Sequence, residues 1–309
     1  MLWNGWKLGA SPNFGVSDSP VILLGLGFTT SRLARKLLPD GHGSSESATY
    51  RAATVRERYR NLRTAPIFAV ARNIVRYEHL AAQGLHLHEY VPPAVPADLP
   101  KAAVLVHTIP PLAGAEQQNL RAFIQALEPR RVLYISSTSV YGEQTVVTEQ
   151  THAAPNDPKG LHRMEEEAWL TQNPWQTFII RPAAIYGPGR GVHERIREGK
   201  PPRAAGTTIV SRIHADDLAA ILAGAIDSNL EGAWPLADEL PCSTDAITDW
   251  CAKLLQMPVQ RSENAVQIAG RTVDGRKIRE LLGVQLLYPG YPEGIPACLA
   301  EAVNSPRID

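Results

Sequence analysis

The chain has 309 residues, enough for one large or two unequal domains, and its 31 Lys and Arg balance 31 Asp and Glu. That balance leaves no overall basic field to draw nucleic acid or an anionic membrane, and no apolar run approaches the roughly 20 residues of a membrane span. Cys242, Cys251 and Cys298 lie far apart, match no metal spacing and suit a reducing compartment, so no metal and a cytoplasmic location are expected.

Residues 1–19 mix Trp3, Trp6 and Phe14 with Gly, Ser and Asn and have no signal-peptide pattern, which predicts a flexible leader. Val21 to Leu24 then read as a short buried strand, Gly25-Leu26-Gly27 as a tight turn, and Phe28 to Leu38 as a helix with Leu33, Ala34, Leu37 and Leu38 on its inner face. Glycine at 25 lets the chain reverse, and glycine at 27 lets backbone approach a bulky ligand. Gly25, Gly27, Phe28, Thr29 and Thr30 are therefore candidates to hold a pyrophosphate at the helix start. Thr30 stands where a G-x-G-x-x-G motif has its third glycine, and a plain strand-to-helix turn has the same spacing.

Between the breakers at Pro39 to Gly43 and the next strand lies an insertion, residues 40–66. Five arginines and the apolar residues Ala52, Val55, Tyr59 and Leu62 predict a basic amphipathic helix there, either a packing or partner surface or a solvated element. Ile67 to Ala71 is the second strand, and Arg72 follows it. An acidic residue here would bind the ribose hydroxyls of NAD, whereas arginine pairs with a 2′-phosphate, so Arg72 favours NADP over NAD. A short helix over 80–84 and a strand over 85–89 follow, with His86 and His88 read as a solvated face. Ala102 to Thr108 is the next strand, and Ile109-Pro110 after it would lie beside the cofactor. A helix over 117–127 leads to a strand ending at Ile135 and an unusual hydroxyl cluster, Ser136-Ser137-Thr138-Ser139-Val140-Tyr141-Gly142. A helix over 158–170, whose Glu165-Glu166-Glu167 reads as a solvated face, precedes a strand over 177–181. Alternating strands and helices predict an α/β fold, a doubly wound parallel sheet of Rossmann type.

Five stretches in this order resemble the extended short-chain dehydrogenase/reductases of the NAD-dependent epimerase/dehydratase type. They are Gly25-Leu26-Gly27; Ser136 to Gly142; Arg181-Pro182 with Tyr186-Gly187-Pro188-Gly189-Arg190; Arg212-Ile213-His214-Ala215-Asp216-Asp217; and Leu281-Leu282-Gly283 with Tyr288-Pro289. The resemblance implies an NAD(P)-binding Rossmann domain over 20–190 and a small C-terminal α/β domain over 191–309, mainly substrate-binding. It also implies a homodimer paired through helices that flank the sheet, and Ser136 and Pro182 beside the cofactor. Ser137 matches the family's catalytic Ser/Thr. Lys159 and Arg163 stand where the family carries Tyr-x-x-x-Lys, which resembles its atypical branch and puts the proton source in doubt. Tyr141, Lys159 or His162 could supply the proton, or the substrate itself. Thr138 and Ser139 replace the dehydratase acid/base pair, and the missing tyrosine also argues against epimerisation at C4. Thr138, Tyr186, Arg190 and Arg212 are candidates to bind a small-molecule substrate; Arg212 could equally tie the tail to the core through Asp216 or Asp217. The expected activity is an NADP-dependent reductase acting on a small carbonyl or sugar-like substrate. The alternative is a non-catalytic NADP sensor or interaction protein.

Overall fold

A computed structural model describes residues 19–38, 64–204, 206–259 and 270–304; nearly all of the expected leader and of the basic insertion lies outside the described residues. In chain order, β1 (Val21–Leu24) leads through a turn into α1 (Phe28–Leu37), followed by β2 (Ile67–Ala71), a 3-10 turn (Val75–Tyr77), α2 (Glu78–Ala81) and β3 (Leu85–Glu89). Next come β4 (Val104–His107), α3 (Gly114–Leu127), β5 (Arg131–Ile135), a second 3-10 turn (Thr138–Tyr141), β6 (Val146–Val147), α4 (Pro158–Thr171) and β7 (Gln176–Pro182). The C-terminal part adds β8 (Ala184–Tyr186), α5 (Val192–Arg197), β9 (Ile209–Val210), β10 (Arg212–His214), α6 (Ala215–Ile226) and β11 (Gly232–Leu236). It ends with β12 (Cys242–Ser243), α7 (Thr244–Leu255), β13 (Thr272–Val273), α8 (Arg276–Leu282) and α9 (Tyr291–Asn304). No helix of the described residues is long and apolar enough to cross a membrane.

The main sheet is a seven-stranded Rossmann-type sheet in the order β11-β7-β5-β4-β1-β2-β3, every pair parallel. Alternate residues of each strand face opposite layers. Val21 and Leu23 join α1 and α6 in one core, while Ile22 and Leu24 join Leu120, Phe123, Ile124 and Leu127 of α3 in the other. Burial on both faces explains why β1, β2, β4 and β5 read as unbroken apolar runs. The strand order reverses between β1 and β4, where sheets of this kind have their crevice beyond the C-terminal strand ends, and the turn after Leu24, bonded to Thr108, forms part of its rim.

Several boundaries differ from those read in the sequence. Helix α3 starts three residues early, at Gly114, because its first turn is exposed and carries no apolar period; the Gln117 side chain accepts from the Leu112 amide just ahead of it. Helical turns precede β3 over 75–81 rather than 80–84, and Gly84, at φ +100°, reverses the chain. The sheet body does not end at residue 190. Helix α6 packs on α1, and β11 pairs with β7, so residues 215–236 complete the sheet. Asp217 binds the rest of the tail to this body by accepting from the amides of Leu287 (2.6 Å) and Tyr288 (3.1 Å).

Candidate active site

Gly25 leaves β1 with φ +91°, and a Cβ there would stand 2.8 Å from Thr108 Oγ1 and 3.0 Å from Ile109 Cγ1. The turn is thus pressed against the segment that follows β4, which places Ile109 at its edge and leaves Pro110 exposed beyond it. Gly27 is the opposite case. No heavy atom of the described residues lies within 4 Å of where its Cβ would be, so none of them fills the space above it. A helix start that opens on free space presents its unsatisfied first-turn amides to whatever occupies that space.

Thr30 is 1% exposed, and its hydroxyl is spent inside the turn: it donates to Gly25 O (2.6 Å) and accepts from the Gly27 amide (2.8 Å). Thr108 Oγ1 donates to the same carbonyl at 2.9 Å. Two hydroxyls therefore hold the loop in shape, and the Thr30 side chain is spent on that role. Thr29 is also buried. Arg72 leaves β2 exposed and meets no acidic partner among the described residues, while Arg76 stacks its guanidinium 5.5 Å from the Tyr77 ring.

Beyond β5 the hydroxyl cluster forms the second wall. Ser137 is half-buried and caps the 3-10 turn, its Oγ accepting from the Ser139 amide at 3.2 Å, so its own proton is left to donate outward. Gly160 lets α4 approach this turn: a Cβ there would stand 2.7 Å from Ser139 O. Lys159 is exposed at the helix tip, one residue after the Pro158 that opens the helix behind the Asp157 cap. Arg163, one turn on, donates from Nη1 to Tyr134 Oη (2.9 Å) and Ile135 O (2.8 Å), fixing α4 to the end of β5. Tyr141 is 1% exposed; its Oη accepts from Arg181 Nη1 at 3.3 Å, and burial raises its pKa. That arrangement holds the turn from beneath rather than offering a phenol to the crevice.

The run Glu165-Glu166-Glu167 is not a solvated face. Only Glu165 is exposed. Glu166 accepts from Gln117 (2.6 Å) and from Arg121 Nη2 (2.8 Å), with His107 Nε2 3.6 Å away, beyond hydrogen-bond length. Burial lowers the His107 pKa, and the bonds from its neighbours hold the Glu166 carboxyl below its ordinary value against that burial. Glu167 accepts from Ser136 Oγ (2.5 Å) and from Arg181 Nε (3.1 Å) and Nη2 (2.6 Å). Ser136 is accordingly 3% exposed and bound inward. Arg271 is a site residue the sequence did not flag. Its guanidinium donates to the carbonyls of Thr138 and Gly142, clamping both ends of the Ser137 turn from the C-terminal segment.

The remaining candidates divide by burial. Pro182 is buried at the end of β7. Tyr186 is 3% exposed and donates to Gly290 O at 3.1 Å. Arg212 is 5% exposed and donates to Val210 O (2.8 Å) and Cys242 Sγ (3.2 Å); it braces its own segment and bonds to neither Asp216 nor Asp217. His214 caps α6 by accepting from the Asp216 amide and contacts Cys298 Sγ at 3.3 Å; burial pushes its pKa down to about 4. Arg190 alone of this group is exposed, its Cζ 5.3 Å from the Phe28 ring centroid.

Comparison with known proteins agrees with this geometry. Residues 114–234 match the model of the NAD dependent epimerase/dehydratase family. Protein YeeZ of Escherichia coli strain K12 is 28% identical over 163 residues, 52% of this chain and 59% of YeeZ, so the chain spans about three fifths of that curated relative. A functionally unknown conserved protein from Silicibacter pomeroyi DSS superposes with a TM-score of 0.70 at 26% identity, covering 92% of this chain and 99% of that one. UDP-glucuronic acid 4-epimerase from Bacillus cereus, solved in complex with NAD, shares the fold with a TM-score of 0.67 at 17% identity, over 90% and 96% of the two chains. Residues 114–234 are thus similar to the epimerase/dehydratase family, and the seven-stranded parallel sheet is the Rossmann-like fold that the solved neighbours share.

Proposed function

We propose that this protein is an NADP-dependent oxidoreductase, reductase-like, acting on a small carbonyl or sugar-like substrate. The observation that carries the reading is the glycine turn: Gly27 stands at a helix start with none of the described residues over it, and Arg72 at the end of β2 has no acidic partner among them. The backbone of Gly25 to Thr30 would hold the pyrophosphate, Ile109 and Pro110 would flank it, and Arg72 would meet the 2′-phosphate. The epimerase from Bacillus cereus is solved with NAD; NADP is favoured here by a cation in place of the acidic residue that binds ribose hydroxyls. The cofactor, when bound, supplies or accepts a hydride. Ser137, whose Oγ accepts from the Ser139 amide, would donate a hydrogen bond to the reacting oxygen, Thr138 would line the same edge, and the proton that completes a reduction would come from another group or from the substrate itself. Arg163 takes the family lysine's place but spends Nη1 on the end of β5, so it orients α4.

A second reading, a non-catalytic NADP-binding protein, is favoured by one observation: the position of the family tyrosine is an exposed lysine. Titration with NADPH and NADH tests the shared part. Binding of NADPH tighter than about 1 mM, with Arg72→Asp weakening it by about 1.5–3 kcal/mol while sparing NADH, is expected. No binding of either dinucleotide would overturn both readings. For turnover, Ser137→Ala is compared with wild type on any carbonyl that the protein reduces, and an unaffected variant would displace Ser137 from the reaction.

A further inference from the structure

Two guanidinium groups lie against the ring of Phe28, the first residue of α1: Arg32 with Cζ 5.1 Å from its centroid and Arg190 at 5.3 Å. Their surroundings are not alike. Arg32 is nine-tenths buried, and its Nη1 stands 3.4 Å from Asp216 Oδ1 and 3.4 Å from Glu301 Oε1, so its charge is met within the protein. Arg190 arrives from the loop after β8, is exposed, and has no carboxylate partner among the described residues. The side chain is nonetheless partly desolvated where it lies on Phe28, and that desolvation first, then the charge of the exposed cation Arg203, lower the Arg190 pKa.

A guanidinium seated on an aromatic ring, with a second cation near enough to act on it and no carboxylate partner among the described residues, is a place suited to an anion. The loop that carries Arg190 is fixed on the glycine turn, since a Cβ at Gly187 would stand 2.9 Å from Phe28 Cζ. Phe28 follows Gly27 directly, so the ring that seats Arg190 belongs to the residue whose own amide opens the helix. We infer that Arg190, seated on Phe28 and backed by Arg203, binds the diphosphate of the dinucleotide, and is not a substrate residue. This assignment rests on the proposed dinucleotide site, to which it adds a side-chain cation that the glycine turn itself lacks.

The test is titration of the whole protein with NADPH and with NADH, no substrate present, followed by tryptophan fluorescence, with thermal unfolding as the check on folding. Arg190→Gln is expected to raise both dissociation constants about ten- to a hundredfold, leave their ratio unchanged, and keep the unfolding temperature within about 2 °C of wild type. Arg190→Lys, which keeps charge without the planar stack, falls between, and Arg203→Gln gives a smaller loss for both dinucleotides. Should Arg190→Gln fail to fold, these two variants decide the question. Unchanged dissociation constants in a folded variant would overturn the inference, as would a loss confined to NADPH, which would put Arg190 on the 2′-phosphate. A wild type that binds neither dinucleotide removes the proposed function as well; a wild type that binds, with variants that bind equally, removes only the role of Arg190.

Discussion

The most exposed consequence of this architecture concerns a carboxylate that the sequence reads as surface. Glu167 is 4% exposed and takes three hydrogen bonds, two of them from Arg181, which is itself 8% exposed. Replacing Glu167 with Gln keeps an acceptor oxygen but removes the charge, and so leaves a guanidinium buried without a counter-charge. Breaking a buried pair from one side costs about 3–5 kcal/mol, and one retained neutral hydrogen bond returns about 1 kcal/mol, which leaves a net loss of about 2–4 kcal/mol. At roughly 2–4 °C per kcal/mol for a chain of this order, the unfolding temperature measured by far-UV circular dichroism should fall by about 4–16 °C. The double variant Glu167→Leu with Arg181→Met removes both charges and should recover at least half of that loss, because the cost lies in the orphaned ion. An unfolding temperature for Glu167→Gln within about 1 °C of wild type would refute the reasoning.

Other outcomes follow from the same geometry. Gly25→Ala forces a side chain onto φ +91° against Thr108 and should lower the unfolding temperature by about 2–8 °C, whereas Gly27→Ala should leave it unchanged and weaken NADPH binding at least tenfold, since its Cβ enters only ligand space; the reverse pattern would remove the open cradle. Asp238 is buried, Oδ2 has no hydrogen-bond partner in the described structure, and burial raises its pKa to about 7. Its folded pKa exceeds the unfolded value near 3.8, so the folded state holds the extra proton and its contribution to stability is lost as pH rises from about 4 to 7. Asp238→Asn should abolish that part of the decline by up to a few kcal/mol, read as urea midpoints at pH 4.5 and 7.5; identical pH slopes for the two proteins would count against a buried, protonated carboxyl.

The central strands β1, β2, β4 and β5 were legible because each is covered on both faces, which demands largely apolar runs such as Val21 to Leu24. The glycine turn was legible because the chain reverses there at φ +91°, hard against Thr108, which only glycine allows without strain. What could not be read were interactions whose two halves lie far apart in the chain. Glu166 and Glu167 look like part of a solvated run until Arg121, 45 residues away, and Arg181, 14 away, fold over them. Arg271 was silent because it acts on carbonyls more than 120 residues distant, and backbone carbonyls have no signature in sequence. Arg212 was read as an anion grip because an arginine beside a strand end shows its charge and not its burial.

The two adjacent carboxylates of α4 have a mechanical meaning. Glu166 bonds to α3 and faces His107 at the end of β4, while Glu167 bonds to Ser136 and Arg181 beyond β5 and on β7. Two consecutive residues thus grip neighbours in two directions, and the helix cannot turn about its axis without breaking one grip. Residues 159, 163 and 167 are spaced four apart along one face, so the locked rotation at Glu167 is transmitted through Arg163 to the tip at Lys159. A helix indexed in this way can exchange the side chain at its tip while the backbone there keeps its place. The close approach of Gly160 to the Ser139 carbonyl fixes how near that tip stands to the Ser137 turn.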